Sequence, residues 1–325
     1  MHTSPLTAAP ILVTGAAGFI GSHLVEALLA RGERVVGIDN FDPFYEREVK
    51  VRNLAVVASQ PRFSLEEVDL RDTRAVEAVF KRHLPRRVFH FAAKAGVRPS
   101  LLDPADCMAV NTTATQHLLA ACARSAVEHV VFASSSSVYG DSRRLPFRED
   151  EPCGRPLSPY AAGKIDAEAA CRRHVAATGC PVTCLRLFTV YGPRQRPDLA
   201  IHRFVRAIAQ GRPITLYGDG SSRRDYTHVS DIVTGALAAM ERPGGFCVFN
   251  LGRGVPATLA ETVRMIKEAV GRKAVIERLP TQEGDLDQTW ADISLAGREL
   301  RFEPVEDLEE GIREFVAWWR STATD

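Results

Sequence analysis

Several signals that would settle a function class early are missing from this chain. No apolar run approaches the roughly 20 residues needed to cross a bilayer. The opening stretch MHTSPLTAAP lacks the charged start and apolar centre of a secretion signal, so none is expected. The seven cysteines form no CxxC pair, which argues against a zinc or disulfide framework and for reduced thiols in a cytoplasmic protein. Cys180 and Cys184 are expected to flank a short strand and pack there. No histidine shows metal-ligand spacing, and no metal is expected. With 41 Lys and Arg against 40 Asp and Glu the net charge is +1, so nothing global attracts nucleic acid or an anionic membrane. Internal repeats and long linkers are also absent.

What remains is an ordinary globular composition, 45% hydrophobic and 25% charged over 325 residues. In the first half short apolar runs alternate with longer helical patterns. Strands are expected at Ile11–Thr14, Arg34–Asp39, Phe63–Val68, Arg87–Phe91, His129–Ser134 and Val182–Leu187, and helices at Ile20–Arg31, Thr73–His83, Ala105–Ala123 and Tyr160–Thr178. Near-continuously apolar strands separated by helices imply a parallel sheet covered on both faces. The fold class is therefore α/β, a doubly wound Rossmann-type parallel sheet with ligands at the carboxyl ends of its strands. After Pro193 the rhythm becomes irregular, with helices near Leu199–Gln210, Val229–Glu241, Leu259–Val270 and Glu306–Arg320 and strands near Ile214–Leu216 and Phe246–Asn250. We read residues 1–192 as a dinucleotide-binding domain and 193–325 as a smaller α/β substrate lobe, with the strand and helix near 229–250 as candidates to return to the large domain. Trp318 and Trp319 read as packing residues.

The most specific stretch is ILVTGAAGFIGSHLVEALLARGERVVGIDN. A strand runs into Gly15, Gly18 and Gly21, and a helix opens at once. The first glycine permits the tight turn, the second lets backbone approach a pyrophosphate, and the third allows close helix–strand packing at a helix N-terminus that attracts phosphate. Asp39, at the next strand end, suits the hydroxyls of an adenosine ribose and would repel a 2′-phosphate. Asn40 and Phe41 follow it rather than an arginine, which favours NAD over NADP. Asp69-Leu70 is placed to contact adenine, with a plain turn aspartate as the alternative. Phe91-Ala92-Ala93 offers small residues where a flat cofactor must pass.

A second constellation is SPYAAGKIDAEAA, which puts Tyr160 and Lys164 on one helix face, one turn apart. Tyrosine titrates near pH 10, roughly three units too high for a general base. A neighbouring ammonium and a positive nicotinamide ring would both favour the phenolate. Alone, this pair would be ordinary surface decoration. The glycine motif upstream and the serine-bearing strand end FASSSSVYGD between them give it weight.

Together, Gly15–Gly21, Ser134–Gly140, Tyr160-Ala161-Ala162-Gly163-Lys164 and Arg224-Asp225-Tyr226-Thr227-His228-Val229 resemble the extended short-chain dehydrogenase/reductases, and within them the NAD-dependent nucleotide-sugar epimerase/dehydratase family. The resemblance covers nearly the whole chain. It implies a catalytic triad of Ser135, Tyr160 and Lys164, and a bound NAD lined by Gly15, Gly18, Phe19, Ile20, Gly21, Asp39, Asn40, Asp69, Leu70, Ala92, Ala93, Lys94, Ala133, Tyr160, Lys164, Phe188 and Val190. Dehydratases of the family carry Asp-Glu, and decarboxylases a Glu, where this chain has Ser136-Ser137. Without that acid the implied chemistry is epimerisation: oxidation of the sugar 4-OH, rotation of the 4-keto sugar, and re-reduction.

LRLFTVYGPRQRPDLAIHRF, residues 185–204, bears on the sugar. Galactose-type epimerases have asparagine where Thr189 stands, whereas the Thr-Val-Tyr-Gly-Pro…Arg-Pro-Asp pattern resembles UDP-glucuronate 4-epimerases. The resemblance then implies that Ser135, Ser136, Ser137 and Thr189, with the Arg196 guanidinium, surround the sugar carboxylate. Hydroxyl donors and a charged fork would satisfy that group. Ser135 departs from members that have threonine, and serine can do the same chemistry. Gly96-Val97-Arg98 and Gln282…Gly284-Asp285 also look like that group. Thr215 and Tyr217 are expected beside the base, Arg224 at the diphosphate, Asp285 at ribose hydroxyls and Arg98 in the substrate site. A UDP-glucose/UDP-galactose 4-epimerase is the alternative. A dehydratase, or a non-catalytic NAD-binding regulatory protein, ranks below both. The alanine-rich helices Ala105–Ala123 and Tyr160–Thr178 imply, by resemblance, a homodimer. Tyr139 is expected to be a packing residue.

Overall fold

The structure is a computed structural model and describes residues 9–280 and 287–322. The chain divides into two compact units. Unit 1 comprises Met1–Ser142, Pro152–Arg186 and Gly235–Phe249, and unit 2 comprises Arg143–Glu151, Leu187–Thr234 and Asn250–Asp325.

Unit 1 is built on a seven-stranded parallel sheet. Its strands are β1 (Ile11–Thr14), β2 (Val35–Asp39), β3 (Phe63–Glu67), β4 (Arg87–His90), β5 (His129–Ser135) and β6 (Val182–Leu187), with Phe246–Leu251 as the seventh. The order is Phe246–Leu251, β6, β5, β4, β1, β2, β3. Phe246–Leu251 lies at the edge of this sheet, beside β6. β1, β2, β5 and β6 are buried almost throughout, as the apolar runs require of strands covered on both faces. β3 is the open edge and carries charge: Glu67 pairs with Arg47, and Glu66 with Arg82 and His83. Charge on an edge strand discourages pairing with another chain. β1 lies between β2 and β4, paired in parallel with each. The chain thus winds one way from β1 to β3 and the other way from β4 to β6, and the strand order reverses at the end of β1.

The helix expected over Ala105–Ala123 is not continuous. It is helical over Pro104–Met108, opens into a π turn over Ala109–Thr113, and resumes over Ala114–Arg124. The extra residue in that turn seats Asn111, whose amide bonds the backbone of Lys94: Nδ2 donates to Lys94 O at 2.9 Å, and Oδ1 accepts Lys94 N–H at 2.9 Å. A single π turn inside an α-helix is a common device at functional sites. A short helix over Val97–Leu102 precedes it. Cys184 lies within β6, fully buried, rather than beside it.

Unit 2 packs the helices Ala200–Ala209, Leu259–Val270 and Leu308–Thr322 around Ile201, Phe204, Ile266, Ile312 and Phe315, with Trp318 and Trp319 half-buried against the same core. Its strands are short and paired by twos and threes. Thr189–Tyr191 runs parallel to Tyr226–His228, and Ile214–Tyr217 to Ile276–Leu279. Arg223–Arg224 lies between Ala257–Thr258 and Gln288–Thr289. One buried carboxylate organises these pieces. Asp225 accepts N–H bonds from Arg253, Gly254 and Ala291 at 2.7, 3.0 and 3.1 Å, and the Thr227 hydroxyl at 3.1 Å. Burial pushes its pKa up against the pull of those bonds. Asp225 is the structural member of the RDYTHV motif.

Candidate active site

The glycines at the end of β1 form a cradle that no side chain fits. Gly15 has φ +71°, and a Cβ there would lie 2.8 Å from the Ala92 amide nitrogen. A Cβ on Gly21 would lie 2.0 Å from the Gly15 carbonyl oxygen, and one on Gly18 3.1 Å from it. The helix Phe19–Ala30 opens behind them on Gly18, with no side-chain cap and no acidic residue in its first turn. Its first amides are thus left for an anion.

Asp39 ends β2 beside this cradle. Its Oδ2 accepts the Ala17 N–H at 3.0 Å, and its Oδ1 accepts Phe41 N–H at 2.8 Å and faces the Lys50 ammonium at 3.4 Å. Asn40 donates to Asp69 at 3.0 Å. Hydrogen bonds from Arg71 hold the Asp69 carboxyl far below the usual carboxylate range. Leu70 is buried, and Ala92 and Ala93 are part-exposed. The Lys94 ammonium lies between Asp42 at 2.9 Å and Asp106 at 2.8 Å.

Beneath the cradle runs a chain of hydrogen bonds whose direction can be deduced. Thr115 gives its proton to Asn111 O, so His90 Nε2 must donate to Thr115 Oγ1 at 2.9 Å. His90 Nδ1 is then the acceptor for Thr14 Oγ1 at 2.7 Å, which itself receives the Ala92 N–H at 3.2 Å. Burial first, and then the charge of Lys164, push the imidazole down to about 3. It therefore stays neutral and ties β1, β4 and the π turn together.

β5 brings the serine run to the same edge of the sheet. Strand alternation sends Ser134 inward, where its hydroxyl donates to Glu168 Oε1 at 2.5 Å. Ser135 points the other way and is part-exposed. Its Oγ caps the 3₁₀ turn Ser136–Tyr139, accepting the Ser137 N–H at 3.2 Å and the Ser137 hydroxyl at 2.9 Å. Tyr139 is fully buried with the Arg186 guanidinium 4.8 Å over its ring, a core residue.

The helix Pro159–Thr178 begins at an N-cap, Ser158, whose Oγ accepts the Ala161 N–H at 3.1 Å, with proline in its first turn. Tyr160 is therefore in the first turn and part-exposed, while Lys164 is buried one turn below. The Lys164 Nζ donates to the Ala133 carbonyl at 2.7 Å, 4.8 Å from the Phe132 ring centre and 5.9 Å from that of Tyr160. Burial pushes its ammonium down to about 8. Gly163 lets this helix approach the π turn, for a Cβ there would lie 3.2 Å from that of Asn111. A part-exposed tyrosine, a buried ammonium and a part-exposed serine hydroxyl form a set that can move a proton to and from an alcohol.

Unit 2 holds the other expected positions. Phe188 and Val190 are buried, Thr189 is part-exposed on its strand, and Thr215 and Tyr217 share one part-exposed face of Ile214–Tyr217. Arg224 donates to the carbonyls of Arg223 and Asp287. Arg196 grips Asp198 through Nε at 3.0 Å and a terminal nitrogen at 2.8 Å. In unit 1, Arg98 is exposed on the helix Val97–Leu102. Gln282, Gly284 and Asp285 lie outside the described residues. Sequence reasoning passed over Asn111, His90, Glu168 and Arg186. Only Glu168, four residues beyond Lys164, carried a visible signal.

Residues 11–252 match the model of the NAD dependent epimerase/dehydratase family. A UDP-glucuronate 4-epimerase of Thermodesulfobacterium geofontis is 38% identical over 308 residues, covering 94% of this chain and 95% of that protein. A probable UDP-glucuronate 4-epimerase of Rhizobium meliloti is 35% identical over 95% of this chain and 96% of its own length. Among solved structures, the UDP-glucuronic acid 4-epimerase of Bacillus cereus, in complex with UDP-glucuronic acid and NAD, superposes with a TM-score of 0.91 at 35% identity, over 97% of this chain and all of that one. The UDP-glucose 4-epimerase of Thermotoga maritima, with UDP-glucose, gives 0.88 at 33% identity over 96% and 99%. With its glycine cradle, serine strand and Tyr-Lys helix, the chain belongs to the NAD-dependent epimerase/dehydratase family.

Proposed function

We propose that this protein is an NAD-dependent UDP-sugar 4-epimerase, an isomerase that interconverts UDP-glucuronate and UDP-galacturonate. The cradle that excludes any Cβ at Gly15 or Gly21 fits a pyrophosphate, and Gly15, Gly18, Phe19, Ile20, Gly21, Asp39, Asn40, Asp69, Leu70, Ala92, Ala93, Lys94, Ala133, Phe188 and Val190 are the residues to hold NAD. When bound, NAD supplies reversible hydride acceptance at the sugar C4. Tyr160 takes the proton from the 4-hydroxyl and later returns it. Lys164 stabilises the phenolate form of Tyr160 by its charge, and Ser135 hydrogen-bonds the reacting oxygen. The observation that carries this assignment is Lys164, buried one helical turn from Tyr160 and bonded to the strand that ends in Ser135.

For the substrate we propose Ser135, Ser136, Ser137, Thr189 and Arg196 as ligands of the sugar carboxylate, with Arg98 nearby. Thr215 and Tyr217 would serve the base, Arg224 the diphosphate and Asp285 the ribose. With serine at 136 and 137, no acid stands ready to expel a hydroxyl or assist decarboxylation. A second reading, UDP-glucose and UDP-galactose as substrates, is favoured by one observation: Arg196 is engaged by Asp198. Purified protein supplied with UDP-glucuronate and with UDP-glucose decides between them by the epimer formed. Preferential conversion of UDP-glucose would overturn the glucuronate assignment. We further propose that residues 1–192 form the NAD-binding domain, which also carries the catalytic Ser135, Tyr160 and Lys164, that 193–325 form a nucleotide-sugar-binding lobe, and that the protein is a cytoplasmic homodimer paired through the helical segments 105–123 and 160–178. Light scattering tests the pairing, and a monomeric mass would refute it.

A further inference from the structure

We propose that the buried Glu168–Arg186 ion pair is a positioning element of the catalytic centre, fixing the Tyr160–Lys164 helix against the serine strand and supplying the negative charge that balances Lys164. This rests on the assignment of Ser135, Tyr160 and Lys164 to catalysis.

The pair is almost wholly shielded, with 8% and 5% of the two side chains exposed. Arg186 Nε donates to Glu168 Oε1 at 3.0 Å, and a terminal nitrogen donates to Oε2 at 2.9 Å. A buried ion pair is a poor way to stabilise a fold, because desolvation offsets the attraction and apolar replacements often do as well or better. Its placement points to another use. Oε1 also receives the hydroxyl of Ser134, which stands between Ala133, whose carbonyl holds the Lys164 ammonium, and Ser135. Glu168 itself lies one turn beyond Lys164 and two beyond Tyr160, on the same helix face. One carboxylate thereby sets the register of residues 133–135 against residues 160–168. Arg186, from the neighbouring strand β6, lies over the Tyr139 ring and donates to Cys153 Sγ at 3.5 Å. It therefore also pins the 3₁₀ turn that Ser135 caps.

The electrostatics run the same way. Lys164 faces Tyr160, Glu168 and Cys171 on its own helix, Cys107 on the helix Pro104–Met108, Cys184 on β6 and His90 on β4. Burial pushes the thiols of Cys107 and Cys184 up and the His90 imidazole down to about 3. Among the groups that favour the Lys164 ammonium, Glu168 is the carboxylate.

The test is the titration of Lys164 in the full protein, followed by NMR of lysine labelled with 15N at Nζ and paired with the kcat–pH profile on UDP-glucuronate. Glu168→Gln keeps the shape but removes the charge and leaves the Arg186 cation uncompensated. The Lys164 midpoint should fall by about one pH unit or more, and the alkaline limb of kcat should move with it, while KM changes little. Glu168→Asp restores the charge and should bring the midpoint back toward the wild-type value. Glu168→Gln/Arg186→Met, which removes the Arg186 cation together with its partner, should fall between the two and covers the case in which Glu168→Gln alone does not fold. A Lys164 midpoint unchanged in the Gln variants would overturn the inference and leave the pair a packing feature. Activity surviving in Tyr160→Phe would instead overturn the underlying assignment, whatever the titration shows.

Discussion

Replacing Lys164 with methionine should inactivate the enzyme and make it more stable. Burial pushes the Lys164 ammonium from an ordinary 10.5 down to about 8. At about 1.4 kcal/mol per tenfold change in proton affinity, holding the charged form in that site costs about 3 kcal/mol. Methionine fills a similar volume without charge, but gives up the bond to the Ala133 carbonyl, worth about 1 kcal/mol. The net gain at pH 7 is then about 2 kcal/mol. Its sign depends on pH in a defined way. The folded pKa lies below the unfolded one, so between about 8 and 10.5 the unfolded wild-type chain holds more protons and wild-type stability rises with pH. Below that window both states are charged and the cost is constant. The advantage of methionine should therefore be full at pH 7 and vanish or reverse as pH approaches 10.5. Urea unfolding of both proteins at pH 7 and near pH 10 reads this as the difference in midpoint. A Lys164→Met protein that is less stable at pH 7, or whose advantage does not shrink with pH, would refute the reasoning. Full turnover in that variant would refute the catalytic role.

Two further outcomes follow from the geometry. Gly21→Ala places a methyl group 2.0 Å from the Gly15 carbonyl, so the cradle must open; calorimetric titration should show NAD affinity reduced at least about tenfold, and an unaltered affinity would count against the cradle as the pyrophosphate site. Arg196→Ala removes a charged fork and frees Asp198, so kcat/KM for UDP-glucuronate should fall by roughly tenfold or more while that for UDP-glucose is spared. Equal losses on both sugars would remove Arg196 from carboxylate recognition.

The fold class was legible because β1, β5 and β6 are apolar along their length, which a two-sided parallel sheet demands. The cradle was legible because steric exclusion at Gly15 and Gly21 leaves glycine as the residue that fits. Tyr160 and Lys164 were readable as neighbours because a helix sets them one turn apart. Other features had no such local signature. The π turn at Ala109–Thr113 inserts one residue into an alanine-rich segment whose composition suits either winding, and the bond it serves, from Asn111 to Lys94, joins positions 17 residues apart. Glu168 had only its spacing from Lys164 to mark it, and Arg186 looks like a solvated charge until the sheet brings the two together in the core. The RDYTHV motif was read for Arg224, whereas its most heavily bonded member is Asp225, whose partners at 253, 254 and 291 are set by tertiary pairing alone. The pairing of Arg196 with Asp198, two residues away, was visible in the sequence and was passed over in favour of a ligand.

The most direct test of the central claim is the turnover number of Tyr160→Phe on UDP-glucuronate, measured beside the wild type by resolving the two epimers. The wild-type protein should equilibrate UDP-glucuronate with UDP-galacturonate. The phenylalanine variant should fold normally and be slower by about 10² to 10⁴, because it lacks the phenol assigned to take the proton from the 4-hydroxyl. Turnover of the variant within a few-fold of wild type would contradict the account.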